Sequence, residues 1–336
     1  MVDLKTIKSF LPYLIFLTFF IIVVYRVVIY GTTSEIPKTK KDRVKFELNE
    51  YVRMKSKLSG NIHPIDGLLR KEYKRKLCEL DLTSIRKLKT FNASVNNHGI
   101  VWRKYVNDFF HEFIQNPHQS FCKEMKRFGG QFNTVCKFTD GSKFVCMDEL
   151  IKDIQNGECL IYSFGIAEDW SFEDIMDDLG CEVHAFDGSV IYPDRRGNRI
   201  MFKKVMIDIE DAERNNISTR TLTNILAQNG HTHTKISYLK MDIEGNELIG
   251  LPIWLRKGAL SNVDQIGLEF HLDTNIMKTL RFIETLKELY FKGGYRLISY
   301  DANGCAKNVE TKKGIIQYFN LAEIVLKKVE IKYNCI

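Results

Sequence analysis

The sequence predicts an α/β fold in which a mostly parallel, doubly wound sheet carries helices on both faces. The principal observation is that short apolar runs alternate with amphipathic polar segments from Cys122 onward, an order typical of strands joined by helices. The second is a charge-free segment near the start of the chain, which predicts a transmembrane helix ahead of this domain. With 336 residues and 44% hydrophobic content, the chain can bury the core of one large domain.

Periodicity assigns the runs to individual elements. We expect strands at Phe144–Met147, Leu160–Phe164, Val183–Phe186, Phe202–Ile207, Ile236–Met241, Gln265–Phe270, Tyr295–Tyr300 and Ile315–Phe319. We expect helices at Ser171–Leu179, Thr221–Gln228, Asn246–Trp254 and Lys278–Phe291. A doubly wound sheet binds its ligand beyond the carboxyl ends of the strands, so functional residues are expected there.

A membrane anchor is predicted near the N-terminus. The residues from Ser9 to Tyr25 carry no charge, and the apolar run resumes after Arg26 and continues to Tyr30. About 20 apolar helical residues cross a bilayer core. A cleavable signal peptide is the alternative, but no small-x-small cleavage site follows the run. We therefore assign residues 1–8 to a short tail and residues 9–30 to a transmembrane signal anchor.

Three further segments follow the anchor. Residues 31–67 are polar, basic and weakly patterned, as is typical of a membrane-proximal stem. Residues 68–120 have helical periodicity and form a predicted helical preface. Residues 121–336 contain the alternating pattern and form the predicted α/β domain.

The distribution of basic residues and the positions of the cysteines favour opposite sides of the membrane for the domain. More basic residues follow the span than precede it, which favours a cytosolic body. Two glycosylation sequons, at Asn92 and Asn216, instead fit an oxidising lumen. So does a cluster of five cysteines without a C-x-x-C pair, namely Cys122, Cys136, Cys146, Cys159 and Cys181. We predict a single-pass protein of the Golgi or endoplasmic reticulum with a luminal body, a glycan on Asn92 or Asn216, and at least one disulfide among the five cysteines.

The net charge of +7 is spread along the chain. A nucleic-acid interface would need a clustered basic patch with interleaved aromatic residues, and the sequence contains none. We therefore predict no nucleic-acid partner.

The stretch from Cys159 to Ser189 has the pattern strand, helix, strand. A glycine at the first strand end lets the backbone approach a ligand, and an acidic residue about 20 positions later takes ribose hydroxyls; Gly165 and Asp187 have this relation. The intervening helix is crowded with acidic residues on its polar face. That acidity opposes a phosphate at the helix start, which argues against a dinucleotide.

A second pattern, "ISYLKMDIEGNELIGL", places a strand, two carboxylates and a helix in succession. Asp242 and Glu244 at the strand end could orient a substrate hydroxyl, accept its proton or hold a cation. The alternative is structural, with Glu244 capping the next helix and Asp242 fixing the loop. We expect the Asp242 strand to lie beside the Gly165 strand, across the point where the strand order reverses.

Histidines offer weaker candidates. His231 and His233 flank Thr232 at a spacing that binds metal when carboxylates join them, but we interpret them as solvated loop residues and predict no metal site. His271, just beyond a strand end, could face the site or serve a structural role.

The motifs "SFG", "FDGS", "LKMDIEGNE" and "IGLEFHL", in this order, resemble the FkbM-type class I methyltransferases, and most closely their membrane-anchored methyltransferase-like protein 24 group. The resemblance runs from about Cys122 to Lys328. It implies a class I methyltransferase (Rossmann-like) fold, S-adenosylmethionine as cofactor, and an oxygen atom as acceptor.

The resemblance also implies roles for individual residues. Ser163 to Ile166 correspond to the first cofactor loop, Asp187 to the ribose ligand, Asp208 to a residue near the adenine, and Asp242 to the methionine end or the acceptor. The implied cofactor-binding residues are Ser163, Phe164, Gly165, Ile166, Asp187, Gly188, Asp208 and Met241, and the catalytic candidates are Asp242 and Glu244. Two positions depart from the family pattern, since Ser163 stands where an acid is common and Ala167 replaces a second glycine.

The expected function is S-adenosylmethionine-dependent methylation of a hydroxyl-bearing glycan, lipid or protein in the secretory pathway. Two alternatives stay open. A luminal type II glycosyltransferase has a similar organisation, and Asp242-x-Glu244 imitates its Asp-x-Asp metal motif. A catalytically silent methyltransferase-fold module that binds a partner fits the absent acid at Ser163.

Overall fold

The computed structural model describes residues 106–329, apart from 136, 215–216, 273–275, 305, 307, 312–313 and 320. The predicted tail, anchor, stem and most of the helical preface lie outside the described residues, as do Asn92 and Asn216. Within the described part of the chain, no helix is both long enough and apolar enough to cross a membrane.

The described strands are β1 Met125–Phe128, β2 Gln131–Asn133, β3 Phe138–Asp140, β4 Lys143–Cys146, β5 Leu160–Phe164, β6 Glu182–Phe186, β7 Arg195–Arg196, β8 Ile200–Lys203, β9 Met206–Ile207, β10 Ala212–Arg214, β11 Ile217–Arg220, β12 Tyr238–Met241, β13 Gln265–His271, β14 Tyr295–Ala302, β15 Asn308–Thr311, β16 Gly314–Phe319 and β17 Leu321–Lys328. The α-helices are α1 Met147–Asn156, α2 Ser171–Leu179, α3 Leu222–Gln228, α4 Glu247–Arg256 and α5 Ile276–Phe291. A π-helical turn, Phe110–Ile114, precedes them.

The central sheet has eight strands in the order β14-β17-β13-β12-β5-β6-β8-β7. The five strands from β13 to β8 run parallel, and β17, β14 and β7 pair antiparallel at the two sides. The predicted mostly parallel sheet is therefore confirmed. β12 lies beside β5, with Met241 opposite Phe164, so the predicted adjacency of these strands is confirmed as well.

Helices cover both faces of the sheet because successive strand residues point to opposite sides. On one face, Tyr162 and Phe164 of β5 share a buried apolar cluster with residues of α3, α4 and α5. On the other face, Phe172 of α2 packs on Tyr238 of β12 with ring centroids 5.6 Å apart. α2 ends where Gly180 adopts φ +99°, a left-handed conformation that glycine accepts without strain.

The structure corrects several predicted strands. The strand expected at Phe144–Met147 lies outside the central sheet and pairs with β1, and that expected at Phe202–Ile207 divides into β8 and β9, which belong to different sheets. The strand expected at Ile315–Phe319 is the second arm of the β15–β16 hairpin. The central-sheet strand β17, which follows this hairpin, was not predicted, because its apolar run contains charged residues at Glu323, Lys327 and Lys328.

Two disulfides confirm the prediction made from the cysteine cluster. Cys122 is bonded to Cys146, and Cys159 is bonded to Cys181. The second joins the residues that immediately precede β5 and β6, so it fixes the amino ends of two neighbouring central strands. Cys136 lies outside the described residues.

The end of the predicted helical preface is part of this domain's core. Phe110 lies 6.3 Å from Phe270 of β13 and 5.9 Å from Phe282 of α5, and Phe113 lies 5.8 Å from Tyr290, measured between ring centroids. Aromatic pairs at such distances add to the free energy of burial. The π-helical turn thus packs against both β13 and α5.

Candidate functional site

A cavity of about 520 Å³ opens at the carboxyl ends of β5, β12 and β13. Its place is the point where the strand order reverses, at which doubly wound sheets bind ligands. The volume is in the range of small-molecule sites. Its acidic lining residues are Asp140, Glu168, Asp169, Asp187, Asp242, Glu244 and Glu269. Lys240 and His271 are its basic lining residues, so the lining is predominantly acidic.

The turn after β5 depends on glycine. Gly165 has φ +77°, and a Cβ atom added there would stand 1.7 Å from the carbonyl oxygen of Asp242. A hydrogen bond also joins the two strand ends, because the Asp242 amide donates to the Phe164 carbonyl at 3.0 Å. Gly165 therefore brings the ends of β5 and β12 together at the floor of the cavity.

Asp187, at the end of β6, holds the loop that follows β5. Its Oδ2 accepts hydrogen bonds from the amides of Ile166 and Ala167, both at 2.9 Å. Its Oδ1 accepts from the amide and hydroxyl of Ser189 at 2.7 and 2.6 Å. Burial acts to raise the pKa of Asp187, but these hydrogen bonds outweigh it and hold the pKa below its ordinary value. The carboxylate is thus ionised and shapes the cavity wall.

Asp242 belongs to a buried network of charges. Its Oδ2 lies 3.6 Å from Nζ of Lys143, a β4 lysine that is 1% exposed. Lys143 also contacts Glu323 of β17, whose register partner in the central sheet is Glu269 of β13. Asn303 donates to Oε1 of Glu269 at 3.0 Å. Buried charges are costly unless paired, so the contacts fix the positions of these groups.

The two carboxyls at the centre of this network differ in protonation. Burial acts to raise the pKa of Asp242, but Lys143 and Lys240 outweigh it and leave the pKa below its usual value. Burial, together with repulsion from Asp242 and Glu323, raises the pKa of Glu269 well above its usual value. At neutral pH an ionised Asp242 therefore lies beside a protonated Glu269 that can hydrogen-bond to it.

A second buried network stands behind the cavity. The Ser163 hydroxyl donates to Oε1 of Glu173, on α2, at 2.6 Å, and Lys240 lies 3.0 Å from the same oxygen. Glu173 is fully buried. These contacts tie the end of β5 and the end of β12 to α2.

His271 and Glu244 form the cavity rim. Their Nε2 and Oε2 atoms lie 3.5 Å apart, and their side chains are 27% and 84% exposed. Glu244 has φ +58°, a strained conformation for a residue other than glycine. The structural alternative, in which Glu244 caps the following helix, has no support in the contacts, because Asn246 stands at the cap position without a side-chain cap bond and the Gly245 amide donates to Glu247 at 3.0 Å.

A smaller cavity of about 200 Å³ adjoins the first at Gly165, Asp187 and Asp242. Its walls are mostly apolar, formed by Phe164, Phe186, Val205, Met206, Ile207 and Ile243. Gly188 also lines it. A small, mostly apolar slot of this kind can bury an apolar or aromatic part of a ligand.

The structure thus brings most of the predicted site residues to one place. Gly165, Ile166, Asp187, Asp242 and Glu244 line the larger cavity, and Phe164 and Gly188 line the smaller one. Other predicted residues lie elsewhere. Ser163 and Met241 are fully buried within their strands, and Asp208 is exposed and lines neither cavity.

Sequence reasoning missed Lys143, Glu269 and Glu323. Each is a charged residue inside a short, mostly apolar strand, which is a usable signal because such residues are seldom buried without a partner. The pairing of Lys143 with Glu323 could not be predicted from the sequence, since the two residues are 180 positions apart.

Comparison with known proteins gives a family match. The sequence model of the methyltransferase domain family matches residues 80–313, more than half of the chain. The probable methyltransferase-like protein 24 of Homo sapiens is 34% identical over 139 residues, which are 38% of this chain and 37% of that protein. Its counterpart from Rattus norvegicus is also 34% identical over 139 residues, 38% of each chain. The match thus spans little more than a third of the length of these relatives.

Among solved structures, a SAM-dependent methyltransferase from Anabaena variabilis covers 68% of this chain and 93% of its own. It is 9% identical with a TM-score of 0.31, a likeness too weak to carry an argument.

Proposed function

Because the chain belongs to the methyltransferase domain family, we propose that its cleft binds S-adenosylmethionine and methylates a hydroxyl group on a glycan, lipid or protein of the secretory pathway. The observation that carries the proposal is the acidic cavity at the carboxyl ends of β5 and β12.

The charge of the cavity fits this cofactor. S-adenosylmethionine carries a sulfonium and an ammonium group against one carboxylate, so it is a net cation. A cleft lined by charges of one sign concentrates ligands of the opposite sign. The lining stays predominantly acidic even with Glu269 protonated, and it therefore favours a sulfonium donor and opposes a dinucleotide or a nucleoside diphosphate.

The two cavities suit the two ends of the cofactor. The apolar slot beside Phe164 and Phe186 fits the adenine ring, and the acidic cavity fits the methionine end. Asp187 reaches both cavities. Its Oδ2 is committed to the loop amides, but its Oδ1 is bonded to Ser189 alone, and Ser189 is exposed. Ribose hydroxyls would take the place of Ser189 on that oxygen.

Asp242 and His271 are suited to act on the acceptor. When bound, the cofactor supplies an electrophilic methyl group. Asp242, kept ionised by Lys143, orients the acceptor hydroxyl, and protonated Glu269 holds Asp242 in place. His271, part-exposed on the rim, takes the hydroxyl proton at Nε2, the general-base role that histidine most often fills in enzymes. Glu244, 3.5 Å away, stabilises the resulting imidazolium.

Two disulfides in the domain support a place in an oxidising compartment, because such bonds are rare in the cytosol. With the anchor predicted at residues 9–30, they support a single-pass protein of the Golgi or endoplasmic reticulum whose domain faces the lumen.

The silent-module alternative also has an observation in its favour. All the hydrogen-bonding positions of Asp187 are filled from within the chain, so the loop keeps its shape without a ligand. The glycosyltransferase alternative is disfavoured by the family match and by Lys143 beside Asp242, which competes with a metal ion for that carboxylate.

Calorimetry on the purified full chain distinguishes the three. We expect saturable, one-to-one binding of S-adenosylmethionine that needs no metal. Binding of a uridine diphosphate sugar only with Mn²⁺ would support the glycosyltransferase, and binding of neither donor would support the silent module.

A further inference from the structure

A second cluster of metal-ligating side chains lies at the opposite end of the sheet from the cleft. Glu182 begins β6, His184 follows it by two residues, and His231 lies in the loop after α3. One ligand atom from each of these three residues lies within 4.8 Å of the others. None of the three residues lines either cavity of the cleft, so this cluster is separate from the proposed active site.

The distances within the cluster are close to those of a metal site. Nε2 of His184 lies 2.7 Å from Oε1 of Glu182, and Nε2 of His231 lies 3.9 Å from the same oxygen. Ligands about 2.0–2.2 Å from a tetrahedral zinc ion stand roughly 3.4 Å apart. The two observed distances lie on either side of that value, so shifts of side chains alone would complete the geometry.

Tyr162 sets the orientation of His231. The Tyr162 hydroxyl and Nδ1 of His231 are 2.8 Å apart, so Nδ1 can donate to the hydroxyl while Nε2 keeps its lone pair toward Glu182. Metal-ligating histidines usually make such a bond with the ring nitrogen that does not bind the metal. The ring of Tyr162 also stacks on His184, with centroids 5.0 Å apart, which fixes the second imidazole.

The backbone around the cluster is held independently of any ligand. The His231 amide donates to the Leu226 carbonyl at 2.8 Å, and the Glu182 amide donates to the Cys159 carbonyl at 2.8 Å. The Cys159–Cys181 disulfide immediately precedes Glu182. The Glu182 side chain is 47% exposed and that of His231 is 17% exposed, which leaves a path from solvent.

We propose that Glu182, His184 and His231 bind one Zn²⁺ ion, with water in the fourth position. Two imidazoles and a carboxylate are a donor set that zinc accepts. The ion would link the loop after α3 to the amino end of β6, beside the disulfide that joins β5 and β6. Its role is therefore to stabilise the amino end of the sheet.

Two other clusters of potential metal ligands among the described residues are less suitable as zinc sites. Cys122 and Cys146, grouped with Asp148, are joined in a disulfide and have no thiolate to offer. Asp242 and Glu269, grouped with His271, belong to the proposed active site, where Lys143 already neutralises Asp242.

Zinc titration of the untagged, oxidised full chain tests the proposal. We expect one equivalent of Zn²⁺ to bind, and we expect His231→Ala to weaken the affinity by about 100-fold or more, since even the loss of a group behind a ligand costs about 10–100-fold. His233→Ala is the matched control, because His233 lies in the same loop, is exposed and is not in the cluster. It should change the affinity less than about twofold.

Further variants keep the test decisive if His231→Ala disturbs the loop. Glu182→Gln, at an exposed position, should also weaken zinc binding, whereas His271→Ala should leave it unchanged. Co²⁺ should give visible absorption bands of a tetrahedral site in the wild type and in His233→Ala, and none in His231→Ala. Absence of saturable zinc binding, or equal affinity in His231→Ala and His233→Ala, would overturn the proposal. Binding of S-adenosylmethionine should be the same in all of these variants except His271→Ala, so the outcome is independent of the proposed enzymatic function.

Discussion

At the carboxyl end of the central sheet, Lys143 of β4 and Lys240 of β12 are buried among carboxylates. At the amino end, the Cys159–Cys181 disulfide and the stacked rings of Tyr162 and His184 join β5 to β6. Charges withdrawn from water cost free energy even when they are paired. Covalent links and ring stacking carry no such cost. The comparison indicates that the amino end stabilises the domain, and that the carboxyl end keeps charged groups in place for binding and chemistry.

The largest expected effect is on stability, at the amino end. Replacing both Cys159 and Cys181 by Ser removes a cross-link between residues separated by 22 positions, which should lower the free energy of unfolding by about 3 to 4 kcal/mol. Chemical denaturation of the oxidised protein measures this. The affinity for S-adenosylmethionine, measured under native conditions, should change little. A loss of binding free energy as large as the loss of unfolding free energy would show that the amino and carboxyl ends of the sheet are not independent.

A buried carboxyl at the other end should make stability depend on pH. Burial raises the pKa of Glu247 from 4.5 to about 7, and the side chain is fully buried. Between pH 4.5 and about 7, the folded state binds a proton that the unfolded state releases. The contribution of Glu247 to the free energy of unfolding therefore falls as pH rises through this range and is fully lost above about 7. Glu247→Gln keeps an acceptor for the Gly245 amide and should be more stable than the wild type by about 3 kcal/mol at pH 8.

Denaturation curves at pH 5 and pH 8 check this difference, which should be small at the lower pH. Glu284→Gln is the control, since Glu284 is 64% exposed and its replacement should change the free energy of unfolding little at either pH. A pH-independent effect of Glu247→Gln would mean that Glu247 is not held protonated.

The catalytic prediction concerns Asp242. Asp242→Asn keeps the shape of the side chain and removes its charge, so turnover should fall on the order of 100-fold, or about 2.7 kcal/mol in activation free energy. Cofactor affinity should fall less, because the adenine and ribose contacts stay. The measurement is transfer of a labelled methyl group to the acceptor. Asp264→Asn is the matched control, as Asp264 immediately precedes β13 at the amino end, 2.9 Å from Lys235. Full turnover by Asp242→Asn would favour the silent module.

A smaller effect is expected at Asp187. Asp187→Ala leaves the amides of Ile166 and Ala167 without their acceptor, which should weaken binding of S-adenosylmethionine by about 1–3 kcal/mol. Calorimetry on the variant measures the change. The matched variant Ser189→Ala removes one hydroxyl donor to the same carboxylate and should leave the affinity equal or slightly higher. Unchanged affinity in Asp187→Ala would remove Asp187 from the cofactor site.

Local pattern was enough to place the parallel half of the sheet. The bounds predicted for Leu160–Phe164 and Ser171–Leu179 agree with β5 and α2, because each has a clear period and a glycine at its end. Gly165, Asp187 and Asp242 could be found for the same reason, as they stand at strand ends that any doubly wound sheet brings together. The rest depends on long-range contacts. Glu323 contacts Lys143 behind the cleft only because β17 inserts between β13 and β14, and the bond between Ser163 and Glu173 joins two different elements.

Hydrogen–deuterium exchange of the full chain with and without S-adenosylmethionine tests most directly whether the ligand site is at the carboxyl end. We expect slower exchange for the amides of residues 164–169, 187–190 and 241–245, which border the two cavities. We expect no change for residues 158–161 and 229–236, at the amino ends of the same strands. Protection confined to the amino end, or no protection anywhere at a saturating concentration of the cofactor, would contradict the assignment of this cleft as a methyltransferase site.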